Sequence, residues 1–500
     1  MTLRICVILA EGRPAGPGER RFLDMIAADA RFELACVTAA PPPAPALPRP
    51  VAATLAAEGR AFPAPDRAPG DVPPAVALET AAARGCDVAV DFSHGPAALR
   101  LAEVAVHGLW RLSAFAGAAG LAEARDRAPV TRVTIWRHAN GKPPVPLAGA
   151  AYDTKFLATR NRAFMREKSV QLAVRELARL SRGEAHPGAA PAAAPRGFGT
   201  ADLPGYLFRT ARELAARSVR AASEKLGRRP GMFHLRVGAG DGRDFDPARA
   251  TDLVPGGNTF WADPFLFLHE DVLYLFYEDY DYTTRRGHLG VGRLDGMRFT
   301  PLGRALERPH HLSFPFVFRW RDEILMIPET HAAGRVEVWR ATAFPLEWEL
   351  AATALEGVAA VDTVVVEHDG QWWMFTNICR DSFGDFCSEL HLYRVDGPML
   401  RTVEPHPLNP VVIDAQSARA GGRVFAADGR LYRASQDNSH GIYGYGLNLM
   451  EITELSPARY AERRVRHVTP DFMPGIMGCH HLDAAGGRFV VDVRRRYIGA

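Results

Sequence analysis

From residue 262 onward one short pattern returns five times, and it constrains the fold more than any other feature of the chain. It reads ADPFLFLHEDVLYLFYE at 262–278, SFPFVFRWRDEILMIPE at 313–329 and VDTVVVEHDGQWWMFTN at 361–377. It returns as SARAGGRVFAADGRLYRASQD at 417–437 and CHHLDAAGGRFVVDV at 479–493. Each copy is an aromatic and β-branched run, a tight polar turn and a second such run, which is how a β-hairpin is written. Pro264 to Pro315 is 51 residues and Pro315 to Thr363 is 48, with somewhat longer spacings later. Strand-like stretches at 287–294 and 334–341 fill the intervals, giving about four strands per unit. A period near 50 with four strands predicts a β-propeller, and five units predict five blades. The fifth hairpin lacks further strands, so an earlier one must complete its blade. GMFHLRVG at 231–238 is the candidate.

The first part of the chain has a different texture. Strand patterns at 4–10, 32–39 and 86–93 alternate with helical patterns at 20–30, 77–85 and 97–108. A hairpin follows at 129–143 and a long amphipathic helix at 159–183. Alternation of this kind predicts an α/β domain over 1–185 with a mostly parallel sheet. A Pro/Ala/Gly linker (186–200) and a basic amphipathic helix (203–231) make up an expected connector over 186–230, and the propeller is expected over 231–500. That basic helix packs between domains or touches a membrane surface.

Composition removes several function classes. The net charge is +3 and 23% of residues are charged, so no nucleic-acid partner is required. No apolar run reaches the roughly 20 residues that span a bilayer. Residues 5–10 are too short for a secretion signal and read as a buried strand. Six scattered cysteines without a CxxC argue for free thiols in a cytoplasmic protein. No GxGxxG follows the first strand, so a dinucleotide site is unsupported. No metal or cofactor is expected: His310–His311 and His480–His481 are adjacent pairs, and neighbours on a strand face opposite ways.

In a propeller the first strand of each blade lines the central channel, so residues opening these strands converge although they are far apart in sequence. Asp263 opens the first unit and Asp362 the third. Converging carboxylates are what chemistry at an anomeric carbon uses, as base and as charge stabiliser.

Two acids at these places resemble glycoside hydrolase family 43 and its relatives. That resemblance implies a base at Asp263 and a residue that orients the sugar at Asp362. The family's acid opens blade four, where this chain has SARAGG and Arg419 stands nearby. WADPFLF, SFPFVF, GVAAVDTVVV, WWMFT, SARAGGR, YGYGLNLMEITEL and HHLDAAGGRFVVD resemble more closely the propeller attached to glucosamine inositolphosphorylceramide transferases. Relatives carry it behind a formyltransferase-like α/β domain. The formyltransferase pattern needs an Asn, a His and an Asp; no Asn-x-His follows VHGLWRLS, and Ser113 stands where a His is wanted.

The absent acid favours transfer from a phosphate-activated sugar over hydrolysis, because phosphate leaves without a proton. In this reading Asp263, Asp362 and Glu329 are catalytic. Trp261, Glu278, His311, Arg419, Arg433, Gln436, Asp437 and His481 bind substrate. The donor is an activated sugar. A hydrolase with Glu329 or Asp437 as acid, a non-catalytic glycan-binding propeller, and formyl transfer by the first domain stay open as alternatives.

Overall fold

The computed structural model describes residues 2–43, 47–65, 71–190, 197–225 and 232–495. Residues 44–46 of the proline-rich stretch APPPAPALPRP (40–50), part of the linker (191–196) and the end expected for the basic helix (226–231) lie outside these residues. The chain divides into two compact units, Met1–Val219 with Asp381–Gly384, and Arg220–Arg380 with Asp385–Ala500.

The first unit holds a six-stranded sheet in the order β2-β1-β3-β4-β5-β6. Its strands are β1 (Leu3–Ala10), β2 (Phe32–Ala40), β3 (Val88–Asp91), β4 (Leu109–Leu112), β5 (Val130–Ala139) and β6 (Lys142–Asp153). The first four run parallel. The last two form an antiparallel hairpin turning at Asn140–Gly141, so the sheet is mixed. Among the described residues seven α-helices accompany it: α1 (Pro17–Ala27), α2 (Arg49–Ala61), α3 (Leu78–Arg84), α4 (Leu101–Val104), α5 (Leu121–Asp126), α6 (Ala158–Ser181) and α7 (Leu203–Lys225). β1 reads LRICVILA because both its faces are covered. Sequence spacing missed β4, which is only four residues long, and α2, whose Arg49-Pro50 start is the end of the proline-rich stretch. Three cysteines far apart in sequence meet in this sheet: Cys36 Sγ lies 3.2 Å from Cys6 Sγ, and Cys86 adjoins them. Helix α7 leaves Leu207, Phe208 and Val219 exposed. Among the described residues no helix is long and apolar enough to cross a membrane.

The second unit is a five-bladed β-propeller. Blade one is Thr259–His269, Val272–Asp281, Arg286–Asp295 and Arg298–Leu306, each strand pairing antiparallel with the next. Blades two, three and four repeat this from Ser313, Ala360 and Ala420. Blade five takes Leu482–Ala485 and Arg488–Arg495 from the end of the chain and Met232–Ala239 and Thr251–Leu253 from before blade one. The expected closing strand is therefore in place, paired along its whole length with Arg488–Arg495. The first strands of successive blades touch one another all round the ring, blade five against blade one included.

Burial falls outward along each blade. Ser313–Trp320 is buried over six residues, whereas Glu347–Ala354 at the rim is mostly charged or half exposed, as an unpaired edge requires. The channel is plugged. Arg423 on the first strand of blade four bonds Asp483 of blade five and donates to the carbonyls of Leu266 in blade one and Val317 in blade two. Its guanidinium also lies over Phe265 and Phe316.

Candidate active site

Four blades carry a β-bulge at the same place, and the bulge aims a side chain at the axis. In blade one Ala262 pairs with Glu278 and Phe265 with Phe276, leaving Asp263 and Pro264 opposite a single residue. The same slip isolates Phe314 and Pro315 in blade two, Asp362 and Thr363 in blade three, and Gly421 to Arg423 in blade four. Asp263, Phe314 and Asp362 all take left-handed backbone angles (φ 49°, 49° and 52°), which side-chain-bearing residues rarely adopt. The cross-strand partner just before the bulge is Glu278, Glu329, Asn377 and Ser435 in turn. Asp263 and Glu278 stand at opposite ends of one hairpin sequence because folding the hairpin brings both to the same end of the channel.

Blade four supplies no acid, and packing explains why. A Cβ on Gly421 would stand 2.6 Å from the His480 carbonyl oxygen, and one on Gly422 2.0 Å from that of Leu482. Only glycine fits there. Arg419, just ahead of the bulge, reaches the axis instead and donates from Nε to Asp362 Oδ2 at 2.7 Å. Gln436 lies 3.5 Å from the same oxygen and is fixed by the Ala420 carbonyl and Asn438. Tyr443, 40% exposed, lies over the Arg419 guanidinium and against the edge of His480.

Blade five completes the cluster from a turn. His480 and His481 lie between strands, not on one, so the rule that neighbours face opposite ways does not apply. Both backbone N–H groups donate to Asp492 Oδ1, at 3.1 and 3.0 Å. Both rings then face Asp263, with His480 Nε2 and His481 Nδ1 each 3.6 Å from Asp263 Oδ1. His480 Nδ1 lies 2.7 Å from Asp492, which also accepts from the Asp263 backbone N–H. Neither ring nitrogen of the fully buried His481 has a hydrogen-bond partner among the described residues. Asp263, His480 and Asp492 bring one ligand atom each within 4.8 Å of one another, a donor set that a divalent cation would fit. His311 accepts the Gly287 N–H at Nδ1, so its neutral ring carries the proton on Nε2, 3.5 Å from Glu278 Oε1.

Each acid's protonation is set by its neighbours. Burial opposes the charge on Asp263, but the contact with His481 and the charges of His480, His481 and Arg419 outweigh it and hold the pKa down to about 2. Glu278 has no such cations. Burial, then Asp263, Glu329 and Asp492, push its carboxyl well above the usual range. Asp362 is raised to about 6 by burial and by Asp263 and Glu329, against the pull of Arg419. Glu329 is buried too, yet its bond to the His331 ring keeps it below the ordinary value; Ser313 Oγ donates to its other oxygen at 3.1 Å. His480 is drawn down by burial and up by Asp492 and Asp263, and the carboxylates win. The cluster thus sets a carboxylate that loses its proton readily beside one that holds it more tightly, with cationic groups at hand, which is the equipment of acid–base chemistry.

The structure places Asp263, Asp362, Glu329, Glu278, His311, Arg419, Gln436 and His481 at this end of the channel. Three expected residues lie elsewhere. Arg433 is fully buried against Glu462 and the Ser417 carbonyl, tying strands of blade four together. Asp437 accepts from Ser439 and faces His467. Trp261 packs on Tyr277 and Phe299 inside blade one. Asp492 and His331 escaped sequence reasoning. Asp492 sits in FVVDV as one polar residue in a strand, and its partners are set by the turn at 479–481.

Residues 248–477 match the family model described as glucosamine inositolphosphorylceramide transferase 1, N-terminal. The chain is similar to glucosamine inositolphosphorylceramide transferase 1 of Oryza sativa subsp. japonica, 37% identical over 236 residues, 45% of this chain and 31% of that protein. The Arabidopsis thaliana protein of the same name is 38% identical over 212 residues, 42% and 27% of the two chains. The chain thus spans about a third of the length of these relatives. Among solved structures, Zg3597, a family 117 glycoside hydrolase from the marine bacterium Zobellia galactanivorans, overlays 53% of this chain and 92% of its own. Its identity is 12% and its TM-score 0.35. Likeness at that level carries no weight for the chemistry.

Proposed function

We propose that the axial cluster is the active site of a glycosyl-transfer reaction on a phosphate-activated sugar. The observation that carries this reading is the meeting of Asp263, Glu278, Glu329 and Asp362 from three blades with Arg419 and the His480–His481 turn at one end of the channel. Asp263, held ionised, takes the proton of the acceptor hydroxyl as its oxygen bonds to the anomeric carbon. The bond from that carbon to the donor phosphate breaks, and its electron pair leaves with the phosphate oxygen. Arg419 and protonated His480 stabilise that leaving charge. Glu329 and Asp362 bind sugar hydroxyls, Tyr443 offers a stacking face, and the buried His481 ring gains a partner when a hydroxyl arrives.

The names of the relatives support a glycolipid acceptor, and the exposed Leu207 and Phe208 on basic helix α7 support contact with the membrane surface that holds it. A cytoplasmic setting follows from the activated donor. The parallel β2-β1-β3-β4 arrangement with intervening helices supports a Rossmann-like, formyltransferase-like origin for the first unit.

One observation favours hydrolysis as a second reading. Glu278 is a carboxyl held protonated beside an ionised one, and it would serve as the acid that blade four lacks. Product analysis separates the two. The full chain is incubated with nucleotide-activated sugars plus a phosphoinositol-bearing lipid acceptor, and with aryl glycosides. Acceptor-dependent release of the nucleotide, lost in Asp263→Asn, supports transfer. Free sugar from aryl glycosides without acceptor supports hydrolysis. No turnover of either, with glycan binding intact in Asp263→Asn, sinks both.

A further inference from the structure

The first unit contains a cavity of about 530 Å³, a size that suits a small-molecule ligand. Arg20 and Arg21 from α1 and Arg162 and Arg166 from α6 line it, against two carboxylates, Asp24 and Glu167. Arg162 and Arg166 are one helical turn apart, so both present to the same side. Arg162 makes no hydrogen bond or ion pair among the described residues. Among the described residues Arg166 donates only to the Ala114 carbonyl, at 3.5 Å, and lies over the Phe115 ring. Placing the Arg162 and Arg166 guanidinium groups side by side, half-buried and with no bonded carboxylate among the described residues, is unfavourable for the protein alone. Burial and the charges of Arg162 and Arg13, partly offset by Glu19, lower the pKa of Arg166 to about 10. Burial and Arg13, partly offset by Glu58, lower Arg162 as well. An anion of matching geometry would remove that cost.

The position in the fold agrees. The sheet order places β2 on one side of β1 and β3 on the other, so the crevice beyond the carboxyl end of β1 is a topological switch point, where ligands bind in open α/β sheets. Six residues separate β1 from helix α1, whose first turn lines the cavity through Pro17 and Gly18. A Cβ on Gly18 would stand 2.9 Å from the Phe115 ring and 3.4 Å from Arg166 Cβ, so the helix start packs closely on Phe115 and touches Arg166. Planar guanidinium forks bind phosphate oxygens in pairs, which lysine does not do.

We propose that this arginine-walled cavity is a binding site for a small molecule carrying a phosphate or pyrophosphate group. It uses no glycine-rich loop and does not depend on the reading of the propeller site. The test is titration calorimetry on the full chain at low ionic strength with inorganic pyrophosphate, uridine diphosphate and uridine. Saturable binding of pyrophosphate is expected, weakened about tenfold or more in Arg162→Gln and Arg166→Gln. Tighter binding of the nucleotide than of pyrophosphate, with none of uridine alone, supports a nucleotide ligand; equal binding of both supports a simpler phosphate. Arg162→Lys and Arg166→Lys guard against misfolding and should keep part of the affinity. Hydrogen exchange should show ligand protection at 17–21 and 158–166. Absence of saturable binding, binding that survives the double glutamine variant, or protection elsewhere in the chain overturns the proposal.

Discussion

Asp263 and Glu278 differ by one methylene and lie at one end of one hairpin, yet their environments drive them to opposite charge states. The histidines of blade five belong to Asp263, whereas burial and the carboxylates of Asp263, Glu329, Asp492 and Asp279 act on Glu278. Asp263→Asn keeps the size and loses the charge, so turnover should fall about 10²- to 10⁴-fold while circular dichroism stays unchanged. Glu278→Gln mimics the protonated acid that the fold already prefers. A carboxyl raised by folding opposes stability once the pH exceeds its unfolded value, because the unfolded chain ionises freely and the native site does not. The melting temperature of Glu278→Gln should therefore match wild type near pH 4 and exceed it increasingly at pH 6 to 8. A variant that is less stable than wild type throughout this range would refute the assignment of Glu278 as a neutral acid.

At the scale of the element, the β-bulge explains both what the sequence revealed and what it hid. Asp263-Pro264 and Asp362-Thr363 could be found because an acid at the head of an apolar strand is conspicuous. Phe314 occupies the same bulge in blade two with the same left-handed backbone, and no residue type announced it. Arg419 was seen near the gap left by the missing acid, but the reason for the gap was the close approach of the His480 and Leu482 carbonyls, a contact between residues some 60 positions apart. Adjacency predicts opposite-facing rings for His480 and His481 only on a strand, and here the chain turns. Arg433, Asp437 and Trp261 were misplaced because position in a repeat fixes the strand but not where its side chain packs. Gly422→Ala tests the packing argument. At φ 143° its methyl would meet the Leu482 carbonyl, so it should cost about 3 kcal/mol or more in urea unfolding and weaken the site through the displaced histidine turn. The same change at Gly370, a left-handed turn glycine with open space around its Cβ, should cost about 1 kcal/mol.

For the propeller as a whole, closure and site geometry are the same event. The strand Met232–Ala239 precedes all other blade strands and pairs with Arg488–Arg495, which carries Asp492. Asp492 orients His480 and His481 through their backbone N–H groups and holds the backbone N–H of Asp263, so it joins the fifth blade to the first at the point where the acid sits. Arg423 makes the corresponding tie deeper in the channel, linking blades four, five, one and two. A break in the closing strand should then disable the site without touching any residue in it. Val237→Pro removes a ladder donor and a fully buried side chain in the middle of that strand. It should lower propeller stability by about 3 kcal/mol or more and abolish ligand binding at the axis at temperatures where the rest of the chain is folded. Arg298→Pro, on the exposed outer strand of blade one, removes a backbone donor at a blade rim and should leave both within about 1 kcal/mol of wild type. Urea titration followed by tryptophan emission reads the first effect, since Trp261, Trp320, Trp339, Trp348, Trp372 and Trp373 all lie in the propeller. If Val237→Pro unfolds more easily yet binds at the axis as wild type does, the ring and the site are independent, and the acids are held by their own blades.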